Sequence, residues 1–211
     1  MTLCIYCHHK NLYTLANGHK KCAKCKRKFS PKKIDMQKKI LEAFCDKRTV
    51  SNLAKEEKIS YEKVYTFYNK LRLQIAQNSE MNFLNNIGSV GEYEEFLYIP
   101  KYKKNDPNAL YKAQNIMVFD YRGKIYTTLM TVEDKYTPEN IDIASLKKIF
   151  TFKKIAKIKK HNNQIEKFIN FFELEMHRFK GVSSEMFFYY LKECEFLFNY
   201  QEYERKEILK V

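Results

Sequence analysis

Apolar and polar positions alternate along this chain in two distinct rhythms. Residues 35–45, "DMQKKILEAFC", put Ile40, Leu41 and Phe44 on one face of a helix. In "RTVSNLAKEEKIS", Thr49 is placed to cap a second helix that buries Val50, Leu53 and Ala54 and stops near Ile59. Ser60 then caps "YEKVYTFYNKLRLQI", with Val64, Phe67 and Leu71 on one side. The rhythm changes to that of strands at "GEYEEFLYIP" and in a hairpin, Ile116–Asp120 with Lys124–Met130, turning at Arg122-Gly123. Asp120 reads as the turn residue before the glycine. Residues 138–150 read as one helix, followed by the lysine-rich "TFKKIAKIKK". Helical spacing then returns twice. Ile165, Phe168, Ile169, Phe172, Met176 and Phe179 form one stripe, with Glu166 beside it. A last helix starts at Ser183 or Ser184 and buries Phe187, Tyr190, Leu191, Cys194 and Phe198.

Two short helices joined by a tight turn, the second capped by Ser, make a helix-turn-helix pattern. In that geometry Ser60, Tyr61, Glu62, Tyr65, Thr66 and Asn69 approach base edges, while Lys63 and Lys70 lie near phosphates. The alternative is an ordinary three-helix bundle with a solvated face.

The front of the chain has little apolar periodicity and needs another source of stability. Cys4-x-x-Cys7 and Cys22-x-x-Cys25 are two CxxC pairs separated by 14 residues. Tetrahedral zinc takes four soft ligands, and each CxxC turn supplies two thiolates on one edge. Between them, "LYTLANGHKKC" offers a hairpin with Asn17-Gly18 at a type I′ turn. The reading is a structural zinc ribbon held by its metal. A redox motif would need no second pair. His8, His9 and His19 are expected at the surface, and Cys45 and Cys194 as plain buried thiols.

Charge sharpens the picture. The net charge is +14 over 211 residues. Residues 1–80 hold 18 Lys and Arg against 7 Asp and Glu, and residues 1–33 hold nine Lys or Arg and no acid. Lys26, Arg27 and Lys28 sit beside the last zinc ligand. A basic front on a nearly balanced body points to a polyanion, most simply double-stranded DNA. No apolar run approaches the roughly 18–20 residues that span a membrane, and "MTLCIYCHHK" does not read as a signal peptide. The expected location is cytoplasmic and nucleoid-associated, where disulfides are rare.

The order of parts, together with "HNNQIEKFINFFELEMHRFKGVSSEMFFYYLKECEFLFN", resembles bacterial insertion-sequence transposases with an N-terminal zinc ribbon and a ribonuclease-H-like, DDE-type nuclease domain. Their C-terminal signature runs His-x-Asn-x-x-Glu into a helix, then Gly, a Ser-capped second helix and Phe-x-x-Asn. Matching residues here are His161, Asn163, Glu166, Gly181, Ser183, Leu191, Glu195, Phe196, Phe198 and Asn199. The resemblance implies an enzyme that cuts and joins DNA with divalent metal, Mg2+ in the active form, held by acidic residues. Where the family has Glu-x-Asp-Glu on the first strand, this chain has Glu92-Tyr93-Glu94-Glu95, so Glu94 stands in place of the catalytic Asp.

That fold needs helix, strand, helix and strand before its final helix, about 34 residues before any loops. Only the 29 residues from Val132 to Lys160 are present. The strand that should present a second Asp is missing, and Asp134 and Asp142 are the only substitutes, Asp142 the better. Glu94, Asp142, Glu166 and Asn163 would therefore mark a vestigial centre. The expectation is a multi-part α+β protein: zinc ribbon (1–33), helix-turn-helix (34–78), linker (79–91) and a truncated ribonuclease-H-like domain (92–211). Its expected function is DNA binding without strand transfer. Two alternatives stand beside it: an active minimal transposase using Glu94, Asp142 and Glu166, and a regulatory homodimer paired through the aromatic C-terminal helices.

Overall fold

The computed structural model describes residues 2–100, 113–130, 163–179 and 181–209. The helix expected over 138–150, the lysine-rich segment after it, and Asp134, Asp142 and His161 lie outside the described residues. The fold is mixed α+β, and its contacts divide it into two compact units, Met1–Leu71 with Glu202–Val211, and Arg72–Gln201. No described helix is long and apolar enough to cross a membrane.

The first unit opens with a three-stranded antiparallel sheet, β1 (Leu12–Thr14), β2 (Lys20–Cys22) and β3 (Lys28–Phe29). Its core is small: Cys4, Cys22 and Phe29 are buried, with Cys7, Leu12, Cys25 and Ile34 packed against them. The β1–β2 turn differs from the expected type I′. Only Gly18 has positive φ (77°), the Gly18 N–H donates to the Leu15 carbonyl, and Leu15 bonds His19. This is a three-residue loop in which glycine alone takes the left-handed position. Asn17 instead uses its side-chain oxygen to accept from the His19 N–H.

Three helices follow: α1 (Pro31–Cys45), α2 (Val50–Glu56) and α3 (Tyr61–Leu84). Ser30 caps α1, its hydroxyl accepting from the Lys33 N–H, and Pro31 fills a first-turn position where no N–H is missed. α1 therefore begins inside the segment assigned to the ribbon. Thr49 caps α2 as expected, accepting from Asn52. The turn into α3 places Lys58 at φ 53°, and the Ser60 carbonyl accepts from Lys63 and Val64. On α3 the buried face runs through Val64, Tyr68, Leu71 and Ile75. Phe67 is only half-buried, because Tyr68 packs edge-on against Phe44 and donates its hydroxyl to the Arg48 carbonyl. The C-terminal helix α6 (Glu202–Ile208) returns to α1, with Arg205 donating to the Cys45 carbonyl and Lys206 pairing with Asp46 at 3.3 Å.

α3 does not stop near residue 78. It continues to Leu84, so the first part of the expected linker is helical, and a short 3-10 turn, Ile87–Ser89, leads directly into a strand. The polar-looking stretch hid two anchors of the second unit, Ser79 and Phe83.

The second unit holds an antiparallel meander, β4 (Val90–Tyr98), β5 (Gln114–Tyr121) and β6 (Lys124–Met130), and two helices, α4 (Gln164–Met176) and α5 (Ser184–Asn199). The β5–β6 turn has Arg122 at φ 52° and Gly123 at φ 77°, the two positive values a type I′ turn requires. Asp120 accepts from the Gly123 N–H, the turn role read from the sequence. One sheet face carries Phe96, Tyr98, Ile116, Val118 and Ile125 into a core with Ile165, Phe168, Phe172 and Met176 of α4 and Phe187, Leu191 and Cys194 of α5. The other face carries Tyr121 and Tyr126 against Phe83. The Phe83 and Tyr126 rings stack with centroids 3.8 Å apart.

Among the described strands β6 is an edge, and α5 covers it with side chains in place of a further strand. Asn199 accepts from the Ile125 N–H at 2.8 Å and donates to the Ile125 carbonyl. One turn earlier, Glu195 accepts from both the N–H and the hydroxyl of Thr127. An i, i+4 pair thus satisfies alternate outward groups of the strand, which removes an exposed edge.

Candidate metal centre and nucleic-acid surface

The two cysteine turns are built alike. Cys4 N–H donates to the His9 carbonyl and His8 N–H to the Cys4 carbonyl; Cys22 N–H donates to the Arg27 carbonyl and Lys26 N–H to the Cys22 carbonyl. His8 and Lys26 occupy the same left-handed position, at φ 55° and 60°. A chain reversal after each CxxC thereby aims both sulfurs of a pair to one side.

The four sulfurs converge. Cys4 Sγ stands 3.6 Å from Cys25 Sγ and Cys7 Sγ 3.5 Å from Cys22 Sγ, and all four lie within 4.8 Å of one another. A tetrahedron with Zn–S bonds of about 2.3 Å has edges of about 3.8 Å. The donor set and spacing fit a structural zinc ion, which would supply four bonds tying the two turns together. None of the six cysteines is disulfide-bonded.

Burial pushes the Cys22 thiol up, but the N–H groups of Cys25 and Lys24 and the neighbouring thiols outweigh it, and its pKa falls to about 6. The Arg27 N–H lowers Cys25, but burial and the sulfurs of Cys4, Cys7 and Cys22 raise it to about 11. Cys45, by contrast, is a plain buried thiol pushed up to about 11 mainly by desolvation. Among the described residues, the cysteine cluster is the only group of three or more ligating side chains close enough to share an ion.

Lys26, Arg27 and Lys28 are all exposed, with the Arg27 guanidinium 5.0 Å from the centre of the Tyr6 ring. At the start of α3, Ser60, Tyr61, Glu62, Lys63, Thr66 and Lys70 are exposed, and Tyr65 and Asn69 half-buried. Tyr61 and Tyr65 stack with rings 6.0 Å apart and 11° from parallel.

Of the residues assigned to the vestigial centre, the described ones, Glu94, Asn163 and Glu166, lie on one sheet face and at one helix start. Glu92 and Glu94 alternate with Phe96 on the core-facing side of β4. Asn163 caps α4, its side-chain oxygen accepting from the Glu166 N–H, and its amide donates to Glu92 at 2.9 Å. Glu166 is exposed and Glu94 half-buried. The polar start of this helix is thus a cap that also ties it to β4 through Glu92, a contact the sequence did not indicate.

Sequence reasoning also missed a buried ionic cluster on α5. Lys192 is 0% exposed. Its Nζ donates to Ser79 and to Glu195 at 2.8 Å and lies 3.7 Å from the centre of the Tyr126 ring, whose hydroxyl donates to Glu80. Ser79 also donates to Glu195. Beside this cluster Arg72 donates to buried Glu193 at 2.7 Å and stacks on Tyr190. Desolvation lowers the Lys192 pKa against the pull of Glu195, and desolvation raises Glu193 against the pull of Arg72. One signal was available: in "FFYYLKECEFLF" apolar residues surround the whole helix, so its charges have no solvated face. Phe187, expected to be buried, is buried within the chain, and so is Phe196.

No protein-family model, curated protein or solved structure matches this chain.

Proposed function

We propose that the chain is a DNA-binding protein derived from an insertion-sequence transposase, without strand-transfer activity. The observation that carries the reading is the solvent-facing start of α3. Tyr61, Lys63, Thr66 and Lys70 are exposed on a helix entered from the short turn after α2. Thr66, with Tyr65 and Asn69, would read base edges in the major groove of duplex DNA, and Lys63 and Lys70 would take the flanking phosphates. Lys26, Arg27 and Lys28 add phosphate contacts from the ribbon, which carries no acid. The loss of strand transfer rests on the 29 residues between Val132 and Lys160, too few for the elements a complete nuclease core needs.

Fluorescence anisotropy on duplex DNA across a salt series tests the binding. Replacing Lys63 and Lys70 with Ala should weaken binding and flatten the slope of log affinity against log salt by about 2. An unchanged affinity and slope would refute the role of α3. A second reading, an active minimal transposase, is favoured by the Asn163–Glu92 bond, which brings the start of α4 to the strand bearing Glu94. Mg2+-dependent nicking of end DNA that disappears in Glu166→Gln would establish it in place of the first.

A further inference from the structure

The ribbon sheet has two faces of different chemistry. Leu12, Cys22 and Phe29 turn inward to the cysteine cluster. The register pairs Tyr13 with Lys21 and Lys21 with Lys28, so these three form one row across all three strands on the opposite face. Tyr13 is 60% exposed and Lys28 exposed.

Two features of this row are costly for the sheet alone. An exposed tyrosine ring on a β1 of three residues leaves a large apolar surface in water. Two lysines directly opposite in a ladder repel each other. The sequence supplies no local compensation, since no Asp or Glu occurs before Asp35. A flat ring beside two ammonium groups is the arrangement that accepts an unpaired base on the ring and its phosphates on the cations. A duplex offers phosphates to such a row but keeps its base faces stacked inside.

We propose that the Tyr13–Lys21–Lys28 row binds single-stranded DNA, with one base stacked on Tyr13 and neighbouring phosphates on Lys21 and Lys28. This deepens the DNA-binding reading and rests on it. It divides the labour: α3 engages duplex, and the ribbon sheet engages an unpaired stretch.

The test uses the full chain with its zinc content measured, and a fluorescein-labelled oligothymidylate as probe. Tyr13→Ala should weaken binding to this probe roughly 5- to 150-fold, the range for losing one stacked base. Tyr13→Phe should retain it, because stacking needs the ring and not the hydroxyl. Lys21→Ala should weaken the probe and reduce the salt slope by about 1. Duplex affinity should stay within twofold in Tyr13→Ala, whereas Thr66→Ala should weaken duplex and leave the oligothymidylate unaffected. Unchanged probe affinity in Tyr13→Ala, or equal loss in Tyr13→Phe, overturns the proposal. Tighter binding of oligouridylate than of oligothymidylate overturns the assignment to DNA. Failure of the duplex arm with the single-strand arm intact would strike the α3 reading alone.

Discussion

Removing the Glu195 carboxylate should take away a large share of the stability of the second unit. This side chain is 3% exposed and receives four donors: the Thr127 N–H and hydroxyl, the Lys192 ammonium and the Ser79 hydroxyl. Glu195→Ala strands a lysine that is itself fully buried, and breaking a buried ion pair from one side costs about 3–5 kcal/mol. It also orphans the Thr127 amide on the β6 edge, a further cost of about 1–3 kcal/mol. Domains of this kind have only about 5–15 kcal/mol in total. Glu195→Gln keeps one oxygen to accept from Thr127 and Lys192 but loses the charge and the acceptor for Ser79, so it should cost less than Glu195→Ala. Urea denaturation followed by circular dichroism gives the stability, and hydrogen exchange at the Thr127 amide gives a local readout. That amide should exchange slowly in the parent chain and fast in Glu195→Ala. A cost below about 1 kcal/mol for Glu195→Ala, or an unchanged Thr127 exchange rate, would refute the role assigned to this carboxylate.

Other consequences are smaller. Asn163→Ala removes the α4 cap and the bond to Glu92, and should cost about 1 kcal/mol in thermal or urea unfolding; Asn163→Asp should keep the cap but set a carboxylate against Glu92, so losing more at neutral than at acid pH. Lys39 hydrogen-bonds and pairs with Glu57, which raises its pKa above the ordinary 10.5. Its contribution to the first unit is present below 10.5 and lost as pH rises through the raised value, so the melting temperature should fall further in the parent than in Lys39→Met across that alkaline range. High salt should shrink this difference, because the pair is exposed.

What could be read from the sequence was what local chemistry dictates. Thr49 and Ser183 cap helices because their side-chain oxygens accept from the third N–H along, and the residue pattern alone fixes that. The cysteine cluster followed from spacing, since few other uses need two CxxC pairs. The Asn17-Gly18 turn was misjudged because Asn-Gly suits both a two-residue and a three-residue loop, and strand pairing decides between them. The length of α3 was hidden because residues 77–82, "QNSEMN", look like a linker. They are helical because Ser79 and Phe83 find partners on α5 and β6, more than 40 residues away in sequence. The buried charges of α5 were illegible for the same reason: beyond the Lys192–Glu195 pair on the helix itself, the partners Arg72, Ser79 and Thr127 come from distant elements.

The central claim is that four cysteines hold one zinc ion in a basic ribbon and that duplex DNA binding depends on it. The most direct measurement pairs metal content with duplex affinity, in the parent chain, after chelation, and in Cys22→Ser. The parent should carry one zinc per chain, and the other two should lose both zinc and tight duplex binding. A chain that carries no zinc as purified, or one that binds duplex equally well after its zinc is removed, would contradict it.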